Sequence, residues 1–380
     1  MKEHAFFFEL IDVMVSHRQS LSSPPSPEEW EAIFSQVRNQ TLIGVLFAAV
    51  QKLPPEQRPP KKVLFPWFMI SEKIKQKNRQ MNRATANLME SFAAEGFRSA
   101  VLKGQGVALY YPEPLLRMSG DIDLWMEGGM KRVMKFLRER FKVGIVYYHH
   151  AEADILPDVD VEVHYRPSFF MNPFRNRRLQ RWFFEQMPEQ LEHLVSFSPQ
   201  LLFEPGEEGA DEARERCIAV PTRDFNAVFL LHHIFRHFVT EEGIGFRQLA
   251  DYYYCLLAPG DNQAVRRNLE RLHLSSFAAS VMYILQKVFH LDEAKLLVPA
   301  DPKKGKFLLQ EILLAGNFGK TDARRAKQRC GNKIETTLEH LKRDVRFGRF
   351  YFEETIFDVP FRFWIYLHRR LRWERSSWPK

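Results

Sequence analysis

Apolar residues recur at helical spacing over the first hundred positions. Phe6 to Val15 is apolar-rich, and Leu42 to Leu53 is a second such stretch, closed by Pro54-Pro55. Between them Ser23-Pro24-Pro25-Ser26-Pro27 breaks the chain. Ser26 followed by Pro27, Glu28 and Glu29 reads as a capped helix start. The serine accepts from an orphan amide, the proline sits where no N–H is needed, and the acids meet the positive end of the dipole. From just after Pro66 to Glu95 no proline or glycine intervenes, and Ile70, Ile74, Met81, Ala84, Leu88 and Phe92 repeat with the helical period. This spacing predicts one long helix, stopped at Gly96.

The period then changes. Ser99 to Lys103 is a short apolar run closing on Gly104, a strand leading into a turn, and Gln105 to Tyr111 is a short helix ended by Pro112 and Pro114. Asp121 to Met126 opens with acid and apolar residues in alternation, as a strand does. Gly128-Gly129 introduces a helix through Arg140, and Val143 to Tyr148 and Val159 to Tyr165 carry the β-branched and aromatic residues of two more strands. After Pro173 the helical grammar returns, with Pro205 to Gly209 as a polar loop and Cys217 to Val220 as one further strand. Phe225 to Val239 and Phe246 to Leu257 are helices separated by Gly243 and Gly245, and several more follow Val265. The expected class is α+β. A helical N-terminal segment (1–96) and a mainly helical C-terminal domain (171–380) flank a mixed-sheet α/β core (97–170).

Composition changes this picture little. The 380 residues are 45% hydrophobic and 27% charged, and the 13% aromatic share, with 33 Phe, suits helix–helix cores. Lys and Arg outnumber Asp and Glu by 55 to 47, a formal charge of +8, which suits contact with polyanions from a nucleoside triphosphate to RNA without choosing among them. The cysteines, Cys217, Cys255 and Cys330, are scattered and form no C-x-x-C, so no disulfide framework or thiolate zinc site is encoded. The N-terminus lacks a signal peptide's apolar core, and the longest apolar runs are too short for a membrane span. The expected location is the cytoplasm.

Candidate chemistry sits in the α/β segment. On a strand, residues two apart share a face, so Asp121 and Asp123 stand together while Ile122 and Leu124 point into a core. Crowded carboxylates repel, and divalent cations offset that repulsion. Glu162, between Val161 and Val163, offers a third acid on a neighbouring strand, and Asp160, two residues earlier on the same face, competes with it. Three such acids can hold the cations of an in-line phosphoryl displacement. Gly104 lets backbone amides approach phosphate oxygens, and Lys103 and Arg117 add positive charge.

This order of motifs resembles the nucleotidyltransferase superfamily of the DNA-polymerase-β type. More narrowly, it resembles a bacterial family of uncharacterised nucleotidyltransferases. The matching residues are Leu102-Lys103-Gly104, then Arg117-Met118-Ser119-Gly120-Asp121-Ile122-Asp123-Leu124, then Glu162-Val163-His164. His237, Gly243, Gly245, Phe246, Arg247, Gln248 and Asp251 extend the likeness, which covers residues of about 25 to 260. Gly104 is followed by Gln105 where the superfamily usually has Ser or Gly. The resemblance implies a nucleotidyltransferase-type mixed sheet. It also implies Mg2+ or Mn2+ at Asp121, Asp123 and Glu162, with Glu162 helping to activate the acceptor, and a nucleoside triphosphate near Lys103, Gly104, Arg117 and Gly120. His164, His237, Arg247 and Asp251 become cleft residues. The implied reaction moves a nucleoside monophosphate onto an acceptor hydroxyl of a small molecule, protein or RNA, releasing pyrophosphate. A catalytically inactive nucleotide-binding or regulatory protein of the same fold is the alternative.

Three features have plainer readings. His233, His237 and Glu241 share a helix face, but the Glu of His-Glu-x-x-His is missing, so His237 is expected to be a hydrogen-bonded residue near the cleft rather than a zinc ligand. Arg247 and Asp251 are spaced to pair on a helix surface. The basic C-terminus interleaves Phe361, Phe363, Trp364, Tyr366 and Leu371 with arginines, as an amphipathic helix packed on its neighbours does.

Overall fold

The structure is a computed structural model that describes residues 4–207, 209–210, 214–240, 243–319, 322 and 333–372. Its N-terminal part is helical: Ala5–Met14, Pro27–Asn39, Ile43–Lys52 and the 34-residue helix Lys61–Ala94. The expected cap is present. Ser26 Oγ accepts from the Glu29 amide at 3.2 Å while Glu29 Oε2 accepts from the Ser26 amide at 2.7 Å, so each end satisfies an orphan donor of the other. The long helix starts earlier than the sequence predicts and runs through Pro66. Proline forgoes one intrahelical bond, to the carbonyl of Lys62, and the loss is small because that residue lies in the exposed first turn, open to solvent. Trp67 anchors that turn by donating Nε1–H to the Ile43 carbonyl at 2.8 Å.

Among the described residues five strands form the main sheet: β1 (Ser99–Val101), β2 (Ile122–Met126), β3 (Lys142–Val146), β4 (His150–Asp154) and β5 (Val161–His164), in the order β1-β2-β5-β4-β3. β2 and β5 are parallel and the other pairs antiparallel, so the sheet is mixed, as expected. β4 was not foreseen. His-Ala-Glu-Ala-Asp has none of the β-branched residues that mark a strand, and it is extended because β3 and β5 bond it on both sides. A second hairpin pairs β6 (Leu194–Phe197), also unforeseen, with β7 (Arg216–Ala219).

Alternation gives the main sheet two unlike faces. Ile122, Leu124, Val161, Val163 and Ala151 pack into a core with Met81, Leu88 and Phe92 of the long helix and with Val133 and Leu137 of the helix Gly129–Arg140. The opposite face carries Asp123, Glu162 and Glu152 in one cross-strand row. Trp125, His164 and His150 form the next row, and Trp125 enters the larger core with Trp182, Phe183 and Phe225. The helices Arg223–Thr240 and Phe246–Leu257 contribute to the wall over the polar row. Both cores draw on residues from either side of 96 and 170.

The helix Asp358–Arg372 packs as an amphipathic element: Phe361 stacks on Phe169 with ring centroids 5.1 Å apart, and Trp364 meets Tyr148 at 5.7 Å, while Phe363 stays exposed. Its last side chains, Leu371 and the arginines from Arg369 onward, lie outside the described residues, as do Glu241 and Cys330. Among the described residues no helix is long and apolar enough to cross a membrane.

Candidate active site

Each acid is placed by the pleat or the turn that carries it. Asp121 lies one residue before β2, at the end of a turn that Asn78 of the long helix holds by donating to the carbonyls of Leu115 and Arg117, at 2.6 and 2.7 Å. Asp123 follows on β2 and is 2% exposed, and the parallel register sets Glu162 beside it. β1 hands on to Lys103, and the turn needs glycine next: Gly104 has φ +44°, and the carbonyl of Asp121 stands 3.6 Å from where a Cβ would be. The expected helix there is shortened to Gly104–Ala108, and Gln105 points into the core toward Met81.

Charge is balanced only in part within this group. Lys103 Nζ lies 2.8 Å from Asp123 Oδ1. His164 Nε2 lies 2.9 Å from the same oxygen and 3.2 Å from Glu162 Oε2, so it donates between two acceptors. Burial opposes ionisation of Asp123, but the lysine and the histidine outweigh it and hold the carboxyl well below its ordinary range. Glu162 is likewise held down against its burial, chiefly by the His164 hydrogen bond. Those bonds in turn raise His164 against the effect of its own burial. Asp121 shows the opposite outcome: the Asp123 carboxylate, then burial, push it up to about 6. The cluster therefore carries more negative charge than its lysine and histidine neutralise at Asp121. Asp123, Glu162 and His164 each place a ligand atom within 4.8 Å of the others.

The cluster opens into a cavity of about 350 Å³. It brings together nearly all the residues singled out in the sequence: Lys103, Gly104, Arg117, Gly120, Asp121, Asp123, Glu162, His237, Arg247 and Asp251 line it, and His164 braces the acids from the buried side. Asp160 is placed elsewhere, on a second cavity of about 790 Å³ that shares Asp121 and Glu162 with the first.

Two side chains differ from their sequence reading. Asp251 does not pair with Arg247 along the helix. Arg117 Nε and Nη2 donate to its two oxygens at 2.7 Å each, and Tyr111 Oη donates to Oδ1 at 2.7 Å, all buried. Helix-surface pairing lost because the Phe246–Leu257 helix is buried along this face, where a bidentate arginine satisfies a carboxylate more fully than a neighbour one turn away. Arg247 donates instead to the Met118 carbonyl at 2.9 Å. The guanidinium of Arg117 is thus largely committed to Asp251, and its Nη1 reaches Ser119 Oγ at 3.2 Å.

Sequence reasoning missed His149 and His150, which join His233 and His237 on the same wall. His149 and His150 enter on β4 and its turn, and Arg236 Nη1 donates to His149 Nε2 at 2.7 Å. Burial, then neighbouring cations, keep His149 well below its ordinary value, and burial with His164 pushes His150 down to about 3. His233 and His237 face the cavity from the Arg223–Thr240 helix with ring centroids 4.2 Å apart. The available signal was the adjacent pair His149-His150, hidden in a segment with no strand period.

The model of the family described as uncharacterised nucleotidyltransferase matches residues 26–290, including β1 to β5 and every acid of the cluster. The chain belongs to this family. The match reaches some thirty residues beyond the segment over which the motifs were legible, to just past the helix Ser275–Val288. Among solved structures, an antigenic nucleotidyltransferase-like protein from Paracoccidioides brasiliensis is similar at 13% identity, over 61% of this chain and 96% of that one, with a TM-score of 0.31. No curated protein matches the chain. The protein is a member of a nucleotidyltransferase family, and a His, Asp and Glu group within it has the chemistry to hold a metal ion.

Proposed function

We propose that this nucleotidyltransferase-family protein transfers a nucleoside monophosphate from a nucleoside triphosphate to an acceptor hydroxyl, with Mg2+ or Mn2+ at Asp121, Asp123 and Glu162. The observation that carries the reading is the crowding of these acids in one cavity, with Asp121 raised to about 6 by the Asp123 carboxylate. An excess of buried carboxylate oxygens at adjoining strand positions is the donor set that a hard divalent cation fits. Such a cation supplies charge stabilisation to phosphoryl oxygens.

The rest is done by this chain's own groups. Lys103 stands where it can turn from Asp123 to a phosphate oxygen, and Gly104 and Gly120 leave room for the phosphates to approach backbone amides. Attack by the acceptor oxygen on the α-phosphorus forms one P–O bond and breaks the one to pyrophosphate, while Glu162 helps draw off the acceptor's proton. His164 holds Asp123 and Glu162 at fixed spacing. The Arg117–Asp251 pair fixes the Ser119-Gly120-Asp121 turn against the helical layer. Fixed charges and dipoles of this kind supply most of the catalysis in phosphoryl transfer. A nucleoside triphosphate is the donor, the acceptor is a small molecule, protein or RNA, and the work is done in the cytoplasm.

A second reading has one observation in its favour. Lys103 already neutralises Asp123 at 2.8 Å, as it would in a protein that binds nucleotide without turning it over. Thermal stabilisation by each nucleoside triphosphate with Mg2+ or Mn2+, on wild type and on Asp121→Ala/Asp123→Ala, tests the site. A metal-dependent rise in Tm in wild type alone is expected, and pyrophosphate release then separates the two readings. If no nucleotide with either metal raises Tm, the site assignment falls.

A further inference from the structure

His150 has a lone pair with nothing to receive it. Arg236 Nη1 donates to His149 Nε2 at 2.7 Å, and His150 Nδ1 lies 3.0 Å from that same nitrogen. A guanidinium only donates, so His149 Nε2 is an acceptor without a proton, and a neutral His150, the form in which imidazole binds a metal, carries its own on Nδ1. Its other nitrogen, Nε2, is then bare. It is buried, makes no hydrogen bond among the described residues, and lies 3.7 Å from Glu162 Oε1 in the wall of the cavity. The opposite tautomer is disfavoured twice: it would set two lone pairs against each other at 3.0 Å, and 3.7 Å is too long for a hydrogen bond to Glu162.

A bare imidazole nitrogen facing a carboxylate oxygen is repulsive unless a cation lies between. The sheet register adds a second reason for one. Glu152 stands directly across from Glu162, and Glu162 from Asp123, so three carboxylates follow one another across β4, β5 and β2. Like charges at directly opposed positions destabilise a sheet. Lys103 relieves the Asp123 end of the row. Metal–nitrogen and metal–oxygen bonds of about 2.0–2.2 Å let one ion reach both atoms of a pair 3.7 Å apart. His164 Nε2, 2.9 Å from Asp123 Oδ1 and 3.2 Å from Glu162 Oε2, would join the same ion only by giving up the proton it holds between those two oxygens.

We propose that His150 Nε2 is a ligand, with Glu162, of the divalent cation in this site, giving the carboxylate centre one nitrogen donor and a preference for Mn2+ or another transition ion over Mg2+. The inference rests on the metal reading above and adds to it. Magnesium sheds water reluctantly and favours oxygen donors, whereas imidazole suits transition ions.

Electron paramagnetic resonance on the whole chain titrated with Mn2+ tests both. Loss of the free-ion signal measures binding, and echo modulation from 14N reports an imidazole bound directly to manganese. Wild type is expected to bind Mn2+ with a histidine nitrogen coupling that disappears in His150→Gln and persists in His164→Gln. Mn2+ affinity in His150→Gln should fall roughly tenfold or more, and Mg2+ affinity much less. Bound Mn2+ with no nitrogen coupling in wild type overturns the assignment and leaves the carboxylate centre standing, even if a variant fails to fold. Coupling that survives in folded His150→Gln does the same. No bound Mn2+ in wild type overturns the centre and the inference together.

Discussion

Two residues of the site carry opposite stability consequences. Asp251 and Arg117 are both about 95% buried and satisfy each other, so removing one strands the other's charge. Asp251→Ala should cost about 3–5 kcal/mol in urea unfolding, and Arg117→Met/Asp251→Leu should recover much of it, because the double change removes both desolvated ions. A loss no greater than for an exposed pair would contradict this account. Asp121 is the reverse case. Its carboxyl is raised from 3.8 to about 6, so its contribution is complete below pH 3.8 and is lost as pH rises through about 6. With metal chelated, Asp121→Asn should therefore stabilise the protein at pH 7, by on the order of 1–3 kcal/mol at about 1.4 kcal/mol per tenfold change in proton affinity. The gain should vanish below about pH 4. Melts across that range check the sign, and the same substitution should abolish the Tm rise given by Mn2+.

The elements that hold the site are set by close approach. The Ile43–Lys52 helix crosses the turn before β2 at Gly44, where a Cβ would come 2.2 Å from the Leu116 carbonyl oxygen. Both partners are backbone, so a side chain there must move a whole element. Gly44→Ala should cost about 1–3 kcal/mol or more by denaturant titration. Because the turn leads directly into Arg117–Asp121, Mn2+ affinity should drop with it. Unchanged affinity would mean that the turn and the acids are mechanically independent. At this scale the sequence was informative where a single period governs, as in the capped start at Ser26 or the alternation at Asp121 to Met126. It was silent for β4, whose extended form is imposed by hydrogen bonds from β3 and β5.

At the scale of the molecule, the sheet depends on both flanks. Met81, Leu88 and Phe92 of the long helix cover one face, and Trp125 on the other packs against Phe183 and Phe225 from beyond residue 170. Residues 97–170 expressed alone should therefore fail to fold, giving poor NMR dispersion and no cooperative melt, while the full chain melts as a unit. A folded 97–170 fragment would show that the flanks merely decorate the core. The sequence by itself determined the α+β class, the candidate acids Asp121, Asp123 and Glu162 that the fold gathers in one cavity, the Gly104 turn and the family, since each is written in neighbouring residues or in a fixed order of motifs. Only the tertiary structure decided that Arg117 serves Asp251, 134 positions away, and that Lys103 lies on Asp123. It alone set His149, His150 and Arg236 against the acids. Periodicity records which face of an element is buried. Which buried polar groups meet depends on strand order and helix placement, and those follow from how the whole core packs.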